Sequence, residues 1–134
     1  MATLITEPAV RFAPAGETAE EPRLEVGKRD AYQIALEASA LALGLLPPEQ
    51  ASLRNQFERA ITTVVLATAA GLARRSRPDK RNYYTVARAS AAECTAIIHL
   101  VQRWGLAPPE DCQRARNAYL RVVQMLTNLA LACV

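Results

Sequence analysis

The stretch Ile61–Ala73 carries no charged side chain over 13 residues, yet arginines crowd its C-terminal end. Set on a helix at about 100° per residue, its apolar side chains do not stay on one face. Ile61, Val64, Thr68 and Gly71 fall on one side, and Val65, Leu66, Ala69 and Ala73 on the flanks and back. A helix that is apolar all round is buried all round. A chain of 134 residues cannot cover one helix on every side by itself. Part of this surface is therefore expected to meet another subunit.

The length fits one domain with a core that needs no metal or staple. Aromatic residues are few, at 5%, which favours helices with close backbone approach. Arg, Glu or Gln interrupts every apolar run before it reaches membrane-spanning length. The N-terminus lacks a basic stretch followed by an apolar one, so no signal peptide is expected. The three cysteines have no Cys-x-x-Cys spacing, and a reduced, cytoplasmic setting fits them.

Charge divides the chain. Residues 1–27 hold five acidic and two basic side chains, with Pro8, Pro14, Pro22, Gly16 and Gly27 and no helical period. They read as a flexible acidic arm, whose short apolar pieces (Leu4-Ile5, Val10, Phe12) suit docking. Residues 28–134 hold fourteen basic and eight acidic side chains and read as the folded domain.

Four helices are expected in that domain. The first spans about Arg29–Leu43, with Tyr32, Ala35, Leu36, Ser39 and Leu43 on one face and Ile34, Leu41 and Leu45 on the other. The second spans about Pro48–Ala73, with Leu53, Phe57, Ala60, Ile61, Val64, Thr68 and Gly71 inward. The third spans about Pro78–Trp104 and carries the seam Tyr83, Ala87, Ser90, Cys94, Ile97, Val101 and Trp104. The fourth spans about Pro108–Cys133, with Cys112, Ala115, Tyr119, Val122, Leu126, Leu129 and Cys133. The last two seams step by alternate threes and fours, as in a left-handed bundle. Gly-Leu-x-Pro-Pro-Glu recurs at Gly44 and at Gly105, and each copy reads as a left-handed glycine stop followed by a helix start. Ser76 or Arg77 caps the third helix. The fold class is all-α, an up-down-up-down antiparallel four-helix bundle with a flexible N-terminal arm.

Gln56-Phe57-Glu58-Arg59-Ala60-Ile61, Gly71-Leu72-Ala73-Arg74-Arg75-Ser76 and Ala87-Arg88-Ala89-Ser90-Ala91-Ala92-Glu93 carry a family likeness. Over about Arg29 to Cys133 the chain resembles the four-helix bundle family of the 23S rRNA intervening-sequence proteins. That family includes the accessory variability determinant of diversity-generating retroelements. The most specific piece is A-R-x-S-x-x-E. Where the family pattern SIPSNIAEG is polar, this chain has Val65, Leu66, Ala67 and Ala70. The resemblance implies a ring-like homo-oligomer, commonly a pentamer, with a basic surface, contact with RNA or a nucleoprotein such as a reverse transcriptase, and no enzymatic activity.

Few residues suit catalysis. His99 is the single histidine and lies off the Cys94–Ile97–Val101 seam. No Ser/His/Asp or Cys/His set follows from spacing. Glu58 and Glu93 read as ion-pair partners of nearby arginines. The bundle lacks the Glu-x-x-His motifs of a di-iron site, so no metal or cofactor is expected. Cys94 and Cys112 fall out of step for a disulfide and read as packing thiols.

The basic cluster is the strongest functional feature. Arg74, Arg75, Arg77, Lys80 and Arg81 fall within eight residues at one turn, opposed only by Asp79. Guanidinium forks suit phosphate, and a helix start offers free N–H groups to an anion. Arg88 follows on the same helix, and Tyr84 is available to stack on a base while Tyr83 suits the core. Arg114, Arg116 and Arg121 form a second patch. The expected oligomer interface is Ile34, Leu41, Val65, Leu66 and Ala69. Two functional readings stay open. One is a non-enzymatic oligomeric scaffold that contacts RNA or a nucleoprotein through the basic turn. The other is a structural or adaptor oligomer that holds partner proteins without nucleic acid.

Overall fold

A computed structural model describes residues 25–134 as four helices in sequence. They are α1 (Glu25–Leu43), α2 (Ala51–Ala73), α3 (Arg77–Arg103) and α4 (Pro109–Ala132). Each helix packs against its two neighbours in the circuit α1–α2–α3–α4–α1, which is the expected antiparallel bundle. The flexible arm expected for residues 1–27 otherwise lies outside the described residues, but α1 begins at Glu25 rather than Arg29. Among the described residues no helix is long and apolar enough to cross a membrane.

The inward face of α1 differs from expectation. Ala31, Ala35, Ala38 and Ala42 are buried, whereas Leu36 and Leu43 are exposed. The alanine row lies against α2 and α4, and the larger leucines Leu36 and Leu43 face outward. Ile34 and Leu41 pack partly against the core.

In α2 the inward set is Phe57, Ala60, Ile61, Val64, Ala67, Thr68 and Gly71, close to the expected stripe. The Thr68 hydroxyl is satisfied inside the helix by donating to the Val64 carbonyl at 2.7 Å. Helix α2 starts three residues later than expected, because Pro47 and Pro48 belong to the preceding turn.

The seam of α3 is Tyr84, Ala87, Ala91, Cys94, Ile97, Ile98 and Val101. It is wider than the expected seam and rotated by about one residue. Helix α3 faces both α2 and α4, so it buries a broader stripe than a two-helix seam. Tyr84 replaces Tyr83 in the core, and Trp104 stays 58% exposed. In α4 the expected seam holds from Cys112 to Leu126 and then shifts to Ala130. A straight helix drifts in this direction away from a strict seven-residue repeat.

The two Gly-Leu turns are not alike. Gly105 takes φ of 67°, its N–H donates to the Gln102 carbonyl at 3.1 Å, and the Leu106 N–H donates to the Val101 carbonyl at 2.9 Å. This is a Schellman stop. It places Trp104 beyond the last core contact and folds Leu106 back. Gly44 does not adopt a positive φ, contrary to the sequence reading. There the Leu45 N–H donates to the Ala42 carbonyl at 3.0 Å, and Leu45 and Leu46 bury themselves in the end of the bundle.

In the core, the Cys94 thiol and the Tyr119 hydroxyl face one another. Burial, the largest cause, pushes the Cys94 thiol up to about 12, although the nearby Tyr119 hydroxyl opposes the shift. Burial also pushes the Tyr119 hydroxyl up, reinforced by Cys94. Burial raises Cys112 as well. All three cysteines are free, and these two behave as packing groups rather than as thiolates.

Candidate nucleic-acid interface

Local sequence builds the turn between α2 and α3. Helix α2 ends at Ala73, and Arg74 leaves it with extended backbone. Ser76 caps α3 by accepting a hydrogen bond at Oγ from the Asp79 N–H at 3.2 Å. Pro78, in the first turn of α3, has no N–H to leave unsatisfied. The turn is thus closed by its own residues within a few positions.

Lys80 fixes the turn from the other side. Its Nζ donates to the carbonyls of Gly71 at 3.1 Å and Leu72 at 3.2 Å. The last turn of α2 contains no basic residue, so Lys80 supplies the cation that its negative pole favours. Lys80 was expected to bind phosphate. It is half-buried and donates to α2, because its long stem reaches back across the turn.

Arg74 is also positioned. Its Nη2 donates to the Tyr83 hydroxyl at 2.8 Å, and its guanidinium carbon lies 4.8 Å from the centre of the Tyr83 ring. The expected roles of the two tyrosines are therefore reversed: Tyr83 supports an arginine at the surface and Tyr84 fills the core. Arg75, Arg77 and Arg81 are exposed and make no ion pair with the described residues. Asp79 is the one acid in this segment. The result is a fixed turn with three uncommitted guanidinium groups and a fourth held against a tyrosine. Arg88 is half-buried and seven residues beyond Arg81, about 10 Å along α3 at 1.5 Å per residue. It extends the edge rather than joining the turn.

The other candidates are dispersed. On α4, Arg114 lies 3.7 Å from Asp111, Arg116 approaches Gln113 at 3.5 Å, and Arg121 is exposed. His99 is exposed beside Arg103 and Arg116. Glu58 pairs with Arg54 at 3.1 Å, while Glu93 accepts from Gln56 at 3.1 Å, so the two carboxylates do not form a pair. Among the described residues no group of His, Cys, Asp or Glu is arranged to hold a metal ion.

The expected subunit-facing residues divide by exposure. Leu66 is 63% exposed, while Ile34, Leu41, Val65 and Ala69 are half-buried. Val65 and Leu66 line an open apolar cleft of about 230 Å³ between α1 and α2, together with Leu36, Leu43 and Ile61. Leu36 and Leu43 were missed for this surface. The alanine spacing on α1 was the signal that assigned them outward.

A family model described as 23S rRNA-intervening sequence protein matches residues 24–128. No curated protein matches the chain significantly.

Proposed function

The chain belongs to the 23S rRNA-intervening sequence protein family, and from that premise we propose that it is a non-enzymatic, oligomeric binding subunit that contacts RNA, bare or in a nucleoprotein, through the α2–α3 edge. The observation that carries this reading is the state of the arginines. Arg75, Arg77 and Arg81 are exposed without ion-pair partners among the described residues, on a turn held by Ser76, Lys80 and the Arg74–Tyr83 contact. A fixed backbone carrying free guanidinium forks suits phosphate, because the turn itself loses little freedom on binding. In a ring each edge recurs once per subunit, and weak phosphate contacts add by avidity. The subunit number implied by the family resemblance is five.

Filter binding to unrelated single-stranded RNAs tests the edge. Replacing Arg74, Arg75 and Arg77 with Gln weakens binding to all sequences alike, with helicity and oligomer size kept. Undiminished binding by this variant removes the edge from the account.

A second reading has its own observation. The apolar cleft bordered by Leu36, Leu43 and Leu66 is open to solvent in a single chain. An adaptor oligomer that holds protein partners through such surfaces needs no RNA. It predicts no RNA binding at moderate salt and no effect of the triple change.

A further inference from the structure

Two sequence pieces far apart in the chain meet in one cleft. Gln56 and Arg59 come from α2, and Ser90 and Glu93 from α3, with Gln56 and Glu93 separated by 37 positions. The cleft between the two helices has a volume of about 540 Å³, within the usual range for small-molecule sites. Ser52, Asn55 and Thr63 complete the polar wall on α2. The space exists because Ala60 and Ser90 are small where the helices face each other.

We propose that this cleft binds a guanine nucleotide, with the base edge on Glu93 and the phosphate on Arg59. The charges argue for it first. Arg59 is exposed and makes no ion pair with the described residues. Glu93 accepts one bond at Oε2, from Gln56 Nε2 at 3.1 Å, and none at Oε1 from the described residues. A carboxylate can accept about four hydrogen bonds, so most of its capacity is open. One ligand that satisfies both walls carries an anion and two adjacent N–H donors.

Guanine has those donors side by side on its Watson–Crick edge, at N1–H and N2–H. Adenine and cytosine present an amino group beside an acceptor nitrogen, and uracil presents one N–H between acceptors. A bidentate contact to a carboxylate therefore selects guanine. Gln56 contributes by pinning the Glu93 carboxylate across the helix interface, which orders the acceptor before the base arrives. The proposal goes beyond the arginine-edge reading and does not depend on it, since cleft and edge use different side chains.

Calorimetric titration of the intact protein with the monophosphates of guanosine, adenosine and uridine tests it. Guanosine monophosphate is expected to bind about tenfold more tightly than the other two, within the discrimination that a bidentate pair supplies. Glu93→Gln should abolish that preference, and Arg59→Gln should weaken all three nucleotides alike. Both positions are exposed on helices, and circular dichroism checks the fold. The triple change at Arg74, Arg75 and Arg77 should leave the preference intact. A matched pair of oligouridines, one containing a single guanine, distinguishes the source. A guanine preference in strand and monophosphate assigns the cleft to RNA, and one in the monophosphate alone assigns it to a free nucleotide. Equal binding of the three monophosphates by the intact protein, or no binding at millimolar concentration, overturns the proposal whatever the variants do.

Discussion

Gly71 lies so close to the ring of Tyr84 that a Cβ placed on it stands 2.6 Å from Tyr84 Cε1. Tyr84 is fully buried and has no room to retreat. The contact joins the last turn of α2 to the first turns of α3, directly behind the arginine edge. Gly71→Ala should gain about 1 kcal/mol in helix propensity but lose about 1–3 kcal/mol to overpacking. A net lowering of the urea midpoint is expected. A raised midpoint would show that the two helices separate without penalty.

Lys80 and Ser76 are expected to matter for stability more than for binding. Lys80→Gln removes the cation held on the Gly71 and Leu72 carbonyls, for a loss of about 1 kcal/mol. Ser76→Ala removes the cap on α3, also for about 1 kcal/mol. Neither should reduce RNA affinity as much as Arg75→Gln, which is expected to leave thermal stability nearly unchanged. If Lys80→Gln weakened RNA binding most, Lys80 would have to leave the α2 carbonyls for phosphate.

Much of this organisation was legible in the sequence. The inward stripes of α2 and α4, the Schellman turn at Gly105 and the cap at Ser76 all follow from local spacing. The failures occurred where tertiary distance decides. The alanine row of α1 is weaker in hydrophobicity than its leucines, yet it is the row that the bundle buries. Tyr83 and Tyr84 are adjacent in sequence, so only the width of the buried face of α3 separates their roles. Lys80 read as a surface cation because its reach to the end of α2 exists only once the turn is formed. The meeting of Gln56 with Glu93 has no local signature.

Leu66 tests the second surface. It is 63% exposed in the single chain, so a charge there should be harmless to an isolated bundle. If the α1–α2 face is covered by another subunit, Leu66→Glu buries an unpaired charge and breaks assembly. Sedimentation should show an oligomer for the intact protein and smaller species for the variant, with helicity retained. An intact protein that sediments as a monomer at micromolar concentration would contradict the oligomer.

Burial of the Cys94 thiol sets an alkaline limit. The Cys94 thiol titrates at an ordinary 9.0 when unfolded and is pushed up to about 12 by burial in the fold. The unfolded chain therefore releases this proton first, and folding is disfavoured as pH rises. The stabilisation is complete below about 9 and is lost progressively toward 12. Tyr119, also raised, adds to the loss above pH 10. Cys94→Ala should lower stability at neutral pH by about 1 kcal/mol and flatten the decline that begins near pH 9. An identical pH profile for variant and intact protein would remove Cys94 as its source.

Phosphate contact by the arginine edge is measured most directly by the salt dependence of RNA binding. Each phosphate neutralised on a single strand contributes about −0.7 to the slope of log affinity against log salt. Three free arginines on one edge therefore predict a slope of about −2 or steeper for the intact protein, and steeper still where several subunits engage one strand. Glutamine at Arg74, Arg75 and Arg77 should flatten the slope. Failure of the intact oligomer to hold RNA at about 50 mM salt, where such contacts are strong, or a slope unchanged by the triple substitution, would contradict it.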